Sequence, residues 1–302
     1  MSLIPFNDRD GVIWLDGALV PWREAKLHVL SHALHYASAV FEGERVYEGE
    51  IFKLTEHTER LHASGRMLGF EVPYSIAAID QASRDVVDAL GFRDGYLRPV
   101  AWRGSEMMGV SAQQTQIHIA IAGWEWPSYF DPEQRLKGIR LKTSRWRRPA
   151  PDTAPCKSKA AGLYMICTLS KHEVEQEGYD DALMLDWQGN IAESTGANIF
   201  LVQDGVIHTP TPDCFLDGIT RRTVIELAEE RGYQVVERTM DPAELSKTSE
   251  IFLTGTAAEV TPVGSIDDQA FTVGTISQTL MSDYENTVRG RPLDAVIAVD
   301  EA

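Results

Sequence analysis

The chain has 302 residues, 43% hydrophobic and 24% charged, with a net charge of −17. This is the composition of a folded globular protein of one or two domains, and so acidic a balance argues against a nucleic-acid partner, which needs a basic face. Small anionic ligands stay open, because they respond to local arginines rather than to the global sum.

The first ten residues carry charges where a secretion signal needs an apolar run, and no segment approaches the ~20 apolar residues of a membrane span. Cys156, Cys167 and Cys214 have no paired spacing. Three such cysteines fit a reducing cytoplasm rather than a disulfide framework or a zinc site.

The first part of the chain reads as mixed α and β. Asp16-Gly17 between Ile13-Trp14-Leu15 and Ala18-Leu19-Val20 signals a hairpin, and Glu48-Gly49-Glu50 between Val40–Tyr47 and Ile51–Leu54 signals another. Thr55 is expected to cap a helix that runs to about Gly69, and Ser75 a second helix that stops at Gly91. Strands are expected at Tyr96–Val100 and, by alternation, at Ile117, Ile119 and Ile121. The aromatic, two-proline stretch from Trp124 to Pro132 reads as an interdomain connection.

From Gly138 onward the pattern is a β-meander with few helices. Strands at Ala182–Trp187, Ile191–Glu193, Asn198–Val202 and Val206–His208 are separated by turn residues. Gly218-Ile219-Thr220 opens a helix ending at Gly232, and the strand Glu250–Thr254 runs into Gly255-Thr256-Ala257. No glycine-rich dinucleotide fingerprint is present, and the strands do not alternate with helices as a Rossmann sheet requires.

Four features converge on a phosphate-bearing aldehyde cofactor. Lys159 lies among small residues, which leave room for a ring, and a lysine so placed is a candidate Schiff-base nucleophile. The turns Gly218-Ile219-Thr220 and Gly255-Thr256-Ala257 offer backbone N–H groups and hydroxyls to a phosphate. Arg60 offers a planar fork to the same group. Glu193, between a strand and a small-residue turn, can hold a pyridine nitrogen protonated and so make the ring an electron sink. Taken singly, each has a plainer role as solvated lysine, helix start, surface cation or turn acid.

Together these motifs resemble those of the branched-chain-amino-acid aminotransferases, pyridoxal-phosphate enzymes of fold type IV. The resemblance spans roughly residues 12 to 290. It rests on Ser31-His32-Ala33-Leu34-His35-Tyr36, Val40-Phe41-Glu42-Gly43, Tyr96-Leu97-Arg98-Pro99, Met108-Gly109-Val110, the Lys159 segment, Glu193–Phe200, Gly218–Arg221 and Gly255–Pro262. It implies an α+β protein: a small α/β domain at 1–123, a loop at 124–137 and a larger β-barrel-like domain at 138–302, with the cofactor between the domains.

The resemblance also implies roles. Lys159 forms the Schiff base and moves the proton. Tyr164 bonds the cofactor phenolate, and Glu193 the ring nitrogen. Arg60, Gly218, Ile219, Thr220, Gly255 and Thr256 belong to the phosphate site. Tyr96, Thr256 and Ala257 hold the substrate carboxylate, Arg98 receives the second carboxylate of glutamate or 2-oxoglutarate, and Arg45 matches a further basic residue. Phe41, Gly43, Tyr164, Trp126 and Tyr129 shape the apolar pocket, and Tyr36 and Val110 reach a pocket across a homodimer interface.

The implied activity is transfer of the amino group of L-leucine, L-isoleucine or L-valine to 2-oxoglutarate. Sister activities of the same fold, on D-amino acids or (R)-amines or as an aminodeoxychorismate lyase, are the alternatives, and a cofactor-binding protein without turnover is the rival of a different class. The chain departs from the family at Glu44, where an apolar residue is usual. Alternation along the strand sets Glu44 and Arg45 on opposite faces, one toward the pocket and one toward solvent. The stretch 291–302 has no match.

Overall fold

The computed structural model describes residues 4–126 and 137–293. Two sheets organise them. The first contains β1 (Val12–Leu15), β2 (Ala18–Pro21), β3 (Ala39–Phe41), β4 (Glu44–Tyr47), β5 (Glu50–Ile51), β6 (Gly95–Arg103) and β7 (Ile117–Glu125). Their order is β2-β1-β7-β6-β4-β5, with β3 also on β6. Beside the short helix α1 (His32–Tyr36), two longer ones, α2 (Leu54–Met67) and α3 (Ile76–Leu90), cover one face. Leu61 of α2, and Ile79 and Val86 of α3, share a core with Val46, Leu97 and Ile121 of the sheet.

Ser75 caps α3 by accepting from Ala78 N, and Gly91 ends it in the left-handed conformation, as expected. Thr55 does not cap α2. That helix starts at Leu54 behind Lys53, and the Thr55 hydroxyl donates to Asp80 Oδ2 across to α3 at 2.6 Å. The second hairpin is shorter than expected, because Leu54 already belongs to the helix. Trp124 and Glu125, expected in a connection, continue β7 and pair with Tyr96 and Gly95. Tyr129 lies outside the described residues.

The second sheet contains β8 (Ile139–Arg147), β9 (Asp181–Leu185), β10 (Ile191–Ser194), β11 (Asn198–Gln203), β12 (Val206–Thr209), β13 (Val235–Glu237), β14 (Glu250–Gly255), β15 (Glu259–Ile266) and β16 (Gln269–Ala270). Its order is β10-β9-β8-β15-β14-β11-β12-β13. Because β10 also pairs with β11, the run from β10 round to β11 closes on itself as a barrel.

Helices are few beside the nine strands described here, but two of the three were not read from the sequence, which singled out only the one opening at Gly218. α4 (Met165–Gln176) connects the parallel pair β8 and β9, and α5 (Ile219–Glu230) connects the parallel pair β12 and β13. α6 (Thr275–Val288) packs against β14 and β15. The reason lies in the strands. In β11, Ile199 and Leu201 point into one core while Phe200 and Val202 point into another; in β14, Ile251 and Leu253 oppose Phe252 in the same way. A strand apolar on both faces needs a second covering layer. Here α5 and α6 supply it through Val224, Leu227, Leu280 and Tyr284.

The two sheets meet at the lysine segment. Phe41 N donates to Lys159 O at 3.1 Å, and Val40 bridges Ala160. Lys159 N donates to Ser64 Oγ at 3.0 Å, and Ser158 Oγ donates to Ser64 O at 3.1 Å.

Alternation along β4 does separate Glu44 from Arg45, yet neither faces solvent. Arg45 is 2% exposed, lies 3.9 Å from Glu259 and has its guanidinium over the Tyr47 ring. Glu44 is fully buried on the face of Val46, opposite Leu97, and neither carboxyl oxygen has a hydrogen-bond partner. Burial, reinforced by Glu42 and Asp80, pushes its pKa well above the ordinary value near 4.5. Such a carboxyl favours the fold where both states are protonated, and that contribution is lost as pH rises above the unfolded value. Glu44→Gln, uncharged at every pH, is therefore expected to be more stable than the parent by about 1–3 kcal/mol at neutral pH. The gain should shrink toward pH 4.5, which urea unfolding at several pH values measures.

Candidate active site

Lys159 stands between two adjoining clefts. Its Nζ donates to Tyr164 Oη at 3.0 Å and lies 5.2 Å from the Phe41 ring centroid. Both clefts are lined by Lys159, Tyr164, Thr195, Gly196, Ala197 and Thr256, so one amine serves two chambers.

The first chamber is polar. Arg60 reaches it from α2, and its Nη1 is buried with no hydrogen-bond partner. Its Nε and Nη2 are committed to Glu42 at 2.7 and 2.8 Å. Opposite lies the N-terminus of α5, where Gly218 occupies the cap position without any side-chain cap. The first N–H groups of that helix have no intrahelical acceptor and carry its positive dipole end. Gly218 is required here because a Cβ would overlap Asn198 Oδ1. Gly255 and Thr256 line the same corner at the end of β14, and Thr254 Oγ1 there is buried without a partner. An orphaned guanidinium N–H, an orphaned hydroxyl and an open helix terminus together suit a compact anion.

At the other end of this chamber is Glu193, at 8% exposure. Burial raises its pKa to about 7, against the pull of Arg148 and Lys159. Arg148 Nε lies 3.3 Å from Glu193 Oε1, and Arg148 is only 5% exposed. Arg148 is the residue that the sequence did not reveal. It closes the run Arg145-Trp146-Arg147-Arg148, whose pattern is that of a solvated edge, and only its burial separates it from its neighbours. Asn198 and Cys167 also line this chamber.

The second chamber is aromatic and small-residued. Phe41, Gly43, Tyr96, Arg98, Trp126, Ala257 and Ala258 line it. Arg98 lies over the rings of Phe41 and Tyr96, at 4.7 and 5.2 Å, and donates to Tyr96 Oη at 3.2 Å. Its Nε is buried without a partner. Asp181, held by the Thr195 hydroxyl at 2.5 Å, closes the barrel side.

Of the residues singled out from sequence and described, Tyr36, Val110 and Arg45 lie outside the lining of both clefts. Tyr36 stacks on His32 and is 43% exposed, and Val110 is 86% exposed. Glu44 is also absent from the lining of both clefts.

The family model for class IV amino-transferases matches residues 39–266. The chain belongs to that family.

More particularly, it is 40% identical over 291 residues to the branched-chain-amino-acid aminotransferase of Pseudomonas aeruginosa, covering 94% of this chain and 95% of that protein. The branched-chain aminotransferase of the thermophilic archaeon Thermoproteus uzoniensis, solved with norvaline, superposes with a TM-score of 0.90 at 37% identity, covering 94% and 96% of the two chains. The branched-chain amino acid aminotransferase of Thermobaculum terrenum, solved in its PLP-form, gives 0.85 at 32% identity, covering 94% and 95%.

Gly43 tests the second chamber. A Cβ there would overlap the Tyr96 hydroxyl and approach its ring carbon at 2.7 Å. Overpacking of this kind costs about 1–3 kcal/mol. Gly43→Ala should lower unfolding free energy by that amount in denaturant titrations and displace the Tyr96 ring in a crystal structure.

Proposed function

We propose that the chain transfers the amino group of L-leucine, L-isoleucine or L-valine to 2-oxoglutarate with pyridoxal 5'-phosphate. The observation that carries this reading is Lys159 Nζ on the shared wall of a polar chamber, which holds the unpartnered Arg60 Nη1 and an open helix terminus, and an aromatic one that holds an arginine. When bound, the cofactor supplies an aldehyde that condenses with amines and a pyridine ring that draws electrons from the substrate Cα.

The residues present fit that group. Arg60 Nη1, the α5 terminus at Gly218, Ile219 and Thr220, and the turn at Gly255 and Thr256 suit its phosphate. Tyr164 Oη, bonded to Lys159 Nζ, is the donor for its phenolate oxygen. Glu193 is the partner for its ring nitrogen. A carboxylate at a protonated nitrogen gains an opposite charge, which favours its ionised form, and Arg148 keeps the carboxylate in place.

Lys159 Nζ would take the Cα proton of the donor and, within the same half-reaction, pass it to the cofactor's aldehyde carbon; with the acceptor it would carry a proton the other way. Tyr96, Thr256 and Ala257 orient the substrate carboxylate. Phe41 and Trp126 receive a branched apolar side chain, and Gly43 leaves the room that the Tyr96 hydroxyl occupies. Arg98 receives the second carboxylate of the acceptor; with an apolar substrate its charge rests on two ring faces and the Tyr96 hydroxyl rather than being stranded.

Tyr36 and Val110 belong to this reading as groups offered to a second copy in a homodimer. Their exposure, together with that of Leu27, Val29, Leu30 and Leu34, supports it.

Addition of L-leucine without acceptor should bleach the visible absorption of the holoenzyme, and Lys159→Ala should lower turnover at least ~10⁴-fold while the protein remains folded. Bleaching by D-alanine or an (R)-amine instead, with L-leucine inert, would move the enzyme to a sister activity. Arg98→Leu should raise KM for 2-oxoglutarate about 100-fold, as expected for a lost charge-assisted pair. It should change KM for 4-methyl-2-oxopentanoate less than about tenfold, so a uniform loss for both acceptors would remove Arg98 from carboxylate recognition.

A further inference from the structure

Glu42 lies behind the phosphate corner and lines neither chamber. It is fully buried, yet both of its carboxylate oxygens are held by charged or polar partners. Its Oε1 accepts from Arg60 Nε at 2.7 Å, and its Oε2 accepts from Arg60 Nη2 at 2.8 Å. His57, one turn earlier on α2, places Nδ1 2.7 Å from the same Oε2. Burial holds the His57 pKa down, so the ring is neutral and gives its Nδ1–H to the carboxylate. Gly43 N adds a longer contact to Oε2 at 3.3 Å. Burial opposes ionisation of Glu42, but Arg60 and His57 outweigh it and hold the carboxyl well below the usual range.

The consequence is geometric. A guanidinium gripped at Nε and Nη2 cannot rotate about its own plane, and the group left over is Nη1, buried and without a partner at the chamber wall. The backbone of Glu42 is fixed independently, because Glu42 N donates to Pro99 O at 2.8 Å between Phe41 and Gly43, both of which line the aromatic chamber.

We infer that Glu42, steadied by His57, is the positioning residue of the phosphate clamp, which aims Arg60 Nη1 at the anion and ties the clamp to the floor of the substrate chamber. The inference rests on the reading of Arg60 as a phosphate ligand. Two effects compete at Glu42. Its charge offsets that of Arg60, so removing it strengthens long-range attraction for an anion. Its two acceptors also hold the fork, and a buried guanidinium without them turns to other acceptors and takes Nη1 away from the site. Hydrogen-bond direction dominates at contact distance, so loss of aim outweighs gain of charge.

The test is cofactor binding to the full-length apoprotein, followed by fluorescence, with pyridoxal 5'-phosphate and with pyridoxal, which has the same aldehyde and ring but no phosphate. Glu42→Gln should weaken pyridoxal phosphate binding about 30-fold or more and pyridoxal binding less than about threefold. In an Arg60→Ala background, Glu42→Gln should change pyridoxal phosphate affinity less than about threefold, because nothing remains to aim. Unchanged or tighter binding of pyridoxal phosphate to Glu42→Gln would overturn the inference. So would an equal loss for both ligands, which marks a scaffold role. If Arg60→Ala itself bound pyridoxal phosphate as the parent does, the reading of Arg60 would fall first and the inference with it. Should Glu42→Gln not fold, His57→Asn replaces it: a loss of about 3–10-fold for pyridoxal phosphate alone supports the inference, and no loss overturns it.

Discussion

The pairing of the Lys159 segment with the first sheet is the constraint on which the remaining structure depends. Phe41 N on Lys159 O, the Val40–Ala160 bridge and the Ser64 hydroxyl under Lys159 N fix an otherwise irregular loop from one side. A lysine has four rotatable side-chain bonds and loses much rotamer freedom when it is held in one place. Fixing its backbone and offering one hydroxyl, Tyr164 Oη, removes most of that freedom before any ligand arrives. The clefts on either side exist because this segment separates them.

The charges around the lysine follow one pattern. Each buried cation is gripped on one side and left open on the other. Arg60 has Glu42 behind it and a free Nη1 before it. Arg148 has Glu193, and Arg98 rests on aromatic faces with Nε unsatisfied. A buried guanidinium with no partner is costly, and one fully satisfied has nothing to offer a ligand. The partial pairing keeps the arginines in place and leaves donors for an anion. Donors of this kind can suit an anion even in a chain of net charge −17, since the potential that matters is local.

Much of the site was legible as residue types in order. Lys159, Glu193, Arg60 and the two small-residue turns come together as the motifs imply, and the aromatic and arginine positions Phe41, Tyr96, Arg98 and Trp126 line one chamber with Gly43. Tyr36 and Val110 stay at the surface of the chain, outside both clefts. Arg148 was not legible, since an arginine in a run of arginines carries no sign of burial. Glu44 was misplaced. Alternation correctly set it opposite Arg45, but period-two reasoning assumes that one face of a strand is wet, and β4 is buried on both.

What the sequence alone determined is local. Turn residues, caps and apolar periodicity set the hairpin at Asp16-Gly17, the ends of α3 and the strands β11 and β14, because these depend on neighbours a few residues away. The chemistry of the lysine, the carboxylate and the two small-residue turns was equally present, because residue type carries it. Only the tertiary structure decided which strands close the barrel and that α4, α5 and α6 must cover it. It alone also decided which guanidinium atoms remain free. Those outcomes depend on contacts between segments far apart in the chain, such as Glu42 with Arg60, Arg148 with Glu193, and Phe41 with Lys159, where burial and partner geometry rather than residue type set the energy.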